Sequence, residues 1–272
     1  MLYYIYINFV IKELKQMNKS IRKLDNSLIQ KRRNKTIRKR AILLLVFMIC
    51  IFSVLCFKLP YLNVTSINVV NNRIVSQDEI IKLSGIQKGN NIFYLNTTSE
   101  IEGISKNPYI LSAKVERKLP SGVTITVVER EAMYFNTKDK KYFVIDKNGI
   151  VLEIKEDIKN MNLIKLDGFD YSKAELGKQL ESDDKRRLEV IIELGKYIKP
   201  DNILSKFTSI DISDPNALNV YFGNICIKLG NCDNIDKKLN TAVNILQRDE
   251  VKDGKGYIDV SFQGNPVYHI EK

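Results

Sequence analysis

"NPYILSAKVERKLPSGVTITVVERE", from Asn107 to Glu131, holds two strand-like runs and the turn between them. In "ILSAKVERKL" the residues Ala113, Val115 and Arg117 share one side, and "VTITVVER" follows through Pro120-Ser121-Gly122, a turn-forming cluster. Toward the N-terminus, "VTSINVV" from Val64 reads as a third strand closed by a turn at Asn71-Asn72. Ser76-Gln77-Asp78-Glu79 is a capping box that opens a helix carrying Ile80, Ile81 and Leu83, which Gly85 ends. A second box, Thr97-Thr98-Ser99-Glu100, opens a helix with Ile101 and Ile104 that stops before Asn107-Pro108. The order is therefore β-α-α-β-β, a unit of about 70 residues.

Upstream of this unit stands "KRRNKTIRKRAILLLVFMICIFSVLCFKLPY", from Lys31 to Tyr61. Residues 1 to 40 hold 12 Lys and Arg against 2 Asp and Glu, which is +10 of the formal +11; the rest holds 31 against 30. Basicity is thus local to the arm, and a nucleic-acid role for the whole chain loses its main support. Ala41 to Phe57 carries no charge, and Leu59, Tyr61 and Leu62 can extend it toward the ~30 Å of a bilayer core. Its Leu, Ile, Val and Phe residues favour insertion by at most about 4 to 7 kcal/mol. A cleaved signal peptide would be shorter and would end in small residues, whereas this run ends in Cys-Phe-Lys-Leu-Pro. The expectation is a transmembrane helix at 41–62, with Lys31, Arg32, Arg33, Lys35, Arg38, Lys39 and Arg40 holding residues 1–40 in the cytoplasm and everything beyond outside. These cations also sit well against anionic lipid heads. "MLYYIYINFVI" is too short to span; it reads either as an interfacial anchor or as sequence preceding a true start at Met17.

Downstream, Ala132 to Phe135, Tyr142 to Ile145 and Ile150 to Glu153 read as short strands, and a helix from Asp183 to Ile198 aligns Leu188, Ile191, Ile192, Gly195 and Ile198. The strands "FTSIDIS", "LNVYF" and "ICIKL" follow, the last two joined around Gly223-Asn224 as a hairpin. A helix from Asp236 to Arg248 then precedes a final strand, "GYIDVSF". The fold class is α+β: a transmembrane helix, a β-α-α-β-β domain at 63–131, a second mixed α/β domain with an antiparallel sheet at 132–262, and a short tail at 263–272 to which no role is assigned.

The residues also carry a family resemblance. "INVVNNRIVSQDEIIKLSGIQKGNNIFYLN", "ISKNPYILSAKVERKLPSGVTITVVERE" and "YFVIDKNGIVLE" resemble the POTRA module, and the strand that follows it, of the DivIB/FtsQ family of cell-division membrane proteins. The order of arm, apolar segment and POTRA unit is the family's as well. The resemblance implies a divisome scaffold at the septum that gathers the small bitopic proteins DivIC (FtsB) and FtsL. It also implies partner binding at the last strand of the second domain, here Tyr257, Ile258, Asp259, Val260, Ser261 and Phe262, used as an exposed edge. Alternation would turn Tyr257, Asp259 and Ser261 to one face and Ile258, Val260 and Phe262 to the other. The competing arrangement is a strand paired within its own sheet and blocked by the tail.

Catalysis is poorly supplied. The sole histidine is His269, which removes most His-based sites. Asp146-Lys147-Asn148-Gly149 resembles the start of a calcium loop but lacks its acidic ladder and reads as a hairpin turn. Glu129-Arg130-Glu131 reads as a solvated strand edge. Gly85 and Gly89 lack the G-K-[ST] of a phosphate loop. Cys50 and Cys56 lie in the apolar run, while Cys226 and Cys232 are either free or bridged outside the cytosol. No catalytic residue, metal, cofactor, nucleic acid or small-molecule substrate is expected. The alternative reading is a membrane-anchored extracytoplasmic sensor or ligand-binding domain.

Overall fold

From Leu2 to Lys58 the chain contains no proline or glycine, and in the computed structural model this whole stretch is one helix, α1 (Leu2–Lys58). It ends where Pro60 forces extended backbone at Leu59, and Pro60–Leu62 adds a single 3-10 turn, so the helix stops short of the expected Leu62. The structure describes residues 2–199, 202–251 and 254–271; within α1, side chains are described at 11–17, 19 and 33–55. Arg33, Lys35, Arg38, Lys39 and Arg40 are exposed, whereas the side chains of Lys31 and Arg32 lie outside the described residues. The apolar run is exposed at every position from 41 to 55, and Cys56 and Phe57 lie outside the described side chains. Among the described residues, no helix is long and apolar enough to cross a membrane. Met1–Asn63 and Val64–Lys272 are separate compact units.

The second unit opens with the expected β-α-α-β-β order: β1 (Ser66–Val70), α2 (Gln77–Ser84), α3 (Thr97–Ile104), β2 (Ile110–Lys118) and β3 (Gly122–Glu129). Ser76 caps α2 by accepting the Glu79 N–H at 3.2 Å, and Gly85 ends it at φ 70°. The cap of α3 is Asn96, one residue before the expected box, and it accepts from Ser99. The three strands form a sheet in the order β1-β3-β2, with β1 parallel and β2 antiparallel to β3. Ile80 and Ile104 from the helices join Val123, Ile125 and Val127 from β3 among the buried residues.

A connection of two residues leads from β3 into β4 (Ala132–Lys138), the start of a second sheet with β5 (Lys141–Asp146), β6 (Val151–Lys155), β7 (Ile164–Asp167), β8 (Ser209–Asp211), β9 (Leu218–Phe222), β10 (Ile225–Gly230), β11 (Lys255–Asp259) and β12 (Val267–Glu271). Its strand order is β12-β11-β10-β9-β8-β7-β4-β5-β6. Pairing is antiparallel except at β10–β11, β7–β8 and β4–β7. Helices α4 (Arg186–Tyr197) and α5 (Ile235–Leu246) contribute Ile191, Leu194, Leu239 and Ile245 to a core with Ile210, Val220, Ile227 and Ile258 from the sheet. The neighbours of those sheet residues, Ser209, Asn219, Lys228 and Tyr257, are half-buried or exposed, so the helices cover one face and leave the other open.

The expected tail is in fact β12, paired along its length with β11. This contact is written into two glycines. A Cβ at Gly256 would stand 1.9 Å from the His269 carbonyl oxygen, and one at Gly254 would stand 2.2 Å from Ile270 Cγ2. Elsewhere the turn at Asp146 forms as read, with Asp146 Oδ1 accepting the Asn148 and Ile150 N–H groups at 2.8 Å each. Cys226 and Cys232 are free thiols, so the bridged alternative falls.

Two outcomes follow from this packing. Gly256→Ala forces β12 away from β11 and is expected to lower stability by about 1–3 kcal/mol, with faster amide exchange at Val267 and His269; an unchanged thermal midpoint would contradict the close approach. Glu100 is 8% exposed, and its Oε2 has no hydrogen-bond partner among the described residues. Burial raises its pKa above the ordinary 4.5, against the opposing pull of Arg117 and a backbone hydrogen bond at Asn96. The folded chain thus holds this proton more tightly than the unfolded chain. That contribution to stability is complete below pH 4.5 and is lost as pH rises through the folded pKa. The thermal midpoint of Glu100→Gln relative to the unsubstituted chain should therefore rise between pH 4 and pH 8; a flat difference would contradict it.

Candidate partner-binding site

Each strand carries two rows of backbone donors and acceptors, so the outermost strand of a sheet leaves one row without a partner. In the nine-stranded sheet one end is β12, and β11 is not an edge. The expectation that Tyr257 to Phe262 is the exposed edge is corrected accordingly, because β10 pairs with one side of β11 and β12 with the other. The strand itself ends at Asp259. Ser261 bends away with its N–H and Oγ both donating to Asp259 Oδ1, at 3.0 and 2.6 Å.

Ile258 and Val260 face the core as the alternation required, and Tyr257 and Asp259 lie half-buried on the open face. Phe262 does not join the core side; it lies beyond the strand and is 49% exposed. On the open face the Tyr257 ring sits between Lys228, whose Nζ is 4.6 Å from the ring centroid, and the His269 ring at 6.3 Å. Tyr257 therefore supports the edge from the second strand inward rather than forming it.

The direction of the free groups follows from the ladder. Gly256 and Val260 donate their N–H groups to Asn224 and Lys228, on or beside β10, so the even-numbered residues of β11 point toward β10. Tyr257 and Asp259 then point toward β12 and exchange hydrogen bonds with His269 and Val267, their register partners. By the same alternation, Tyr268 and Ile270 turn their N–H and C=O groups outward. Tyr268 is steadied by Arg248, whose Nη1 donates to its hydroxyl at 3.2 Å, while that hydroxyl donates to Glu250 Oε1 at 3.0 Å. His269 Nε2 lies 3.5 Å from Glu271 Oε1 on the opposite face. A cleft of about 460 Å³ lies beside the β11–β12 connection, with Lys237, Thr241, Phe262 and Pro266 among its walls.

Among the described residues, no group of three His, Cys, Asp or Glu side chains comes together to hold a metal. Burial pushes the Cys226 thiol above its ordinary value, the opposite of an activated nucleophile. What the site offers is backbone hydrogen bonding along β12, flanked by Val267 and Tyr268, which are exposed apolar side chains. Sequence reading missed β12 because five residues at the chain end gave too short a run to score. The signal that could have found it is the Gly254-x-Gly256 spacing beside a strand, which marks a close backbone approach.

Comparison with known proteins fits this architecture. Residues 62–130 match the family described as "POTRA domain, FtsQ-type", and residues 133–261 match "Cell division protein FtsQ/DivIB, C-terminal". The chain is 42% identical over 257 residues to "Cell division protein DivIB" of Clostridium botulinum strain Hall, covering 94% of this chain and 100% of that protein. It is 45% identical over 224 residues to the protein of the same name from Clostridium acetobutylicum, covering 82% and 89%. With Bacillus subtilis DivIB it shares 29% identity over 124 residues, 45% of this chain and 47% of that one. A POTRA domain followed by the family's own C-terminal domain, with similarity along nearly the whole chain, means that the chain belongs to the FtsQ/DivIB family of cell division proteins.

Proposed function

We propose that the chain is a non-enzymatic scaffold of the division site, which binds DivIC-like (FtsB-like) and FtsL-like bitopic proteins outside the membrane and so helps regulate septal wall synthesis. The observation that carries this reading is the open edge of β12, with outward backbone groups at Tyr268 and Ile270. An extended segment of a partner satisfies those groups by adding a tenth strand, and main-chain hydrogen bonds supply the affinity. Tyr257, Ile258 and Asp259 hold β12 in register, and Val260, Ser261 and Phe262 form the exit toward the neighbouring cleft.

The anchor in this proposal is Ala41 to Phe57. Its support is the uncharged run within α1 and the exposure of large apolar side chains such as Leu43, at 73%, and Phe52, at 68%. Such a surface is stable only against a non-aqueous partner. The basic residues before it favour a cytoplasmic arm at 1–40, with the POTRA domain at 63–131 and the second domain at 132–262 outside. Single-pass insertion at the septum is the corresponding location.

The test is partner affinity measured with the full chain in detergent or vesicles. Ile270→Pro removes an outward N–H without removing a bond to β11, and it is expected to weaken binding of a DivIC-like or FtsL-like partner by about tenfold or more. Ile270→Val, which keeps the N–H, should bind as the unsubstituted chain does. Equal affinity of both variants would refute strand addition at β12.

A further inference from the structure

Glu129 and Arg130, which the sequence presents as a solvated strand edge, are bound on both sides. At the end of β3 the Glu129 carboxylate accepts three backbone N–H groups, with Oε2 taking those of Arg73 and Ile74 at 3.0 and 2.8 Å and Oε1 that of Val75 at 3.0 Å. This ties the β1–α2 loop to the last residue of the POTRA sheet. Arg130, pointing the other way as the next residue of an extended chain must, reaches into the second domain. Its Nη1 donates to Asp146 Oδ2 at 2.9 Å, while its own N–H donates to the Tyr109 carbonyl at 2.6 Å.

Asp146 is a fixed acceptor. Its side chain is 2% exposed, and its other oxygen is already held by the N–H groups of Asn148 and Ile150. Arg130 cannot leave without stranding the Asp146 carboxylate as a buried charge. A second bond crosses the same boundary, from the Tyr109 hydroxyl to Glu153 Oε2 at 3.0 Å, with Lys155 Nζ 3.2 Å from the same carboxylate. Burial and the Glu153 carboxylate keep that phenol protonated far above its ordinary range. Asp146 ends β5 and Glu153 lies on β6, the end of the nine-stranded sheet opposite β12.

We propose that Arg130–Asp146 and Tyr109–Glu153 form a rigid coupler that makes the POTRA sheet and the nine-stranded sheet turn as one body. Domains joined by a small interface ordinarily move relative to one another. Here the connection is only two residues long, and one of them is itself the bridge, so no hinge is left between β3 and β4. A load applied at the open β12 edge is then carried through the sheet to the POTRA domain instead of being absorbed at the junction. This inference stands on the junction alone and does not depend on what binds β12.

The test uses the full chain in detergent micelles, with spin labels introduced as noncanonical amino acids at Lys88 in the POTRA domain and Lys206 in the second domain, both exposed. Electron–electron resonance should give one narrow distance distribution. Arg130→Gln combined with Tyr109→Phe is expected to widen it at least twofold, while Arg130→Lys, which keeps the charge, should keep most of the narrowness. Should the double variant fail to fold, Tyr109→Phe alone removes one oxygen and leaves the ring packing, and it is expected to widen the distribution by a smaller, resolvable amount. A broad distribution in the unsubstituted chain would overturn the coupler. So would an unchanged width in the folded double variant, or in Tyr109→Phe where only that chain folds.

Discussion

The backbone of β12 lies closer to Gly256 than any side chain there would allow, with the Ile270 side chain packed equally tightly on Gly254, and the character of the open edge depends on that approach. A strand held this closely is part of the sheet rather than a tail laid over it. Adding it does not remove the edge, because every strand that satisfies one row of backbone groups brings a second row with it. The free row moves one strand outward, from β11 to Tyr268 and Ile270. The exposed Val267 and Tyr268 beside it are unusual company for a sheet edge, which globular proteins commonly protect with charge or cover with a loop. An accessible edge that carries exposed apolar side chains beside its polar ones is what a surface for strand addition requires.

The two ends of the nine-stranded sheet are treated differently. At β5 and β6, the Arg130 guanidinium and the Tyr109 hydroxyl hold the sheet to the POTRA domain; at β12, among the described residues, no further strand is added. The proposed binding edge and the fastening are thus separated by the full width of the sheet. The helices α4 and α5 bury one face across that width, and their shared apolar cluster gives the strands between the two ends a common core. Flexing in the middle would have to open this cluster, at the cost of the close packing that interiors depend on.

How far the sequence disclosed this structure depends on the range of the signals involved. The POTRA unit was legible because its evidence is local: a cap at Ser76 with Glu79 three residues on, a stop at Gly85, and period-two alternation in β2 and β3. The second domain was legible as strands and helices but not as a topology, since the parallel pairs β4–β7 and β10–β11 join segments far apart along the chain. Glu129 and Arg130 were misread for the same reason, with Glu129's donors more than fifty positions upstream. For the proposed binding site, the sequence reading put the sheet edge at Tyr257 to Phe262, one strand inward of β12, because it left 263–272 as a tail. The family match itself ends at residue 261, before β12 begins, so resemblance could not have moved it outward.

The central claim, that a partner strand pairs with the outward row of β12, is tested most directly by residue-resolved amide hydrogen exchange on the full chain with and without a DivIC-like or FtsL-like partner. Strand addition predicts that the amides of Tyr268 and Ile270 exchange more slowly in the complex, while those of Val267 and His269, already bonded to β11, change little. Protection that instead falls elsewhere, with Tyr268 and Ile270 exchanging as fast as in the free chain, would contradict it.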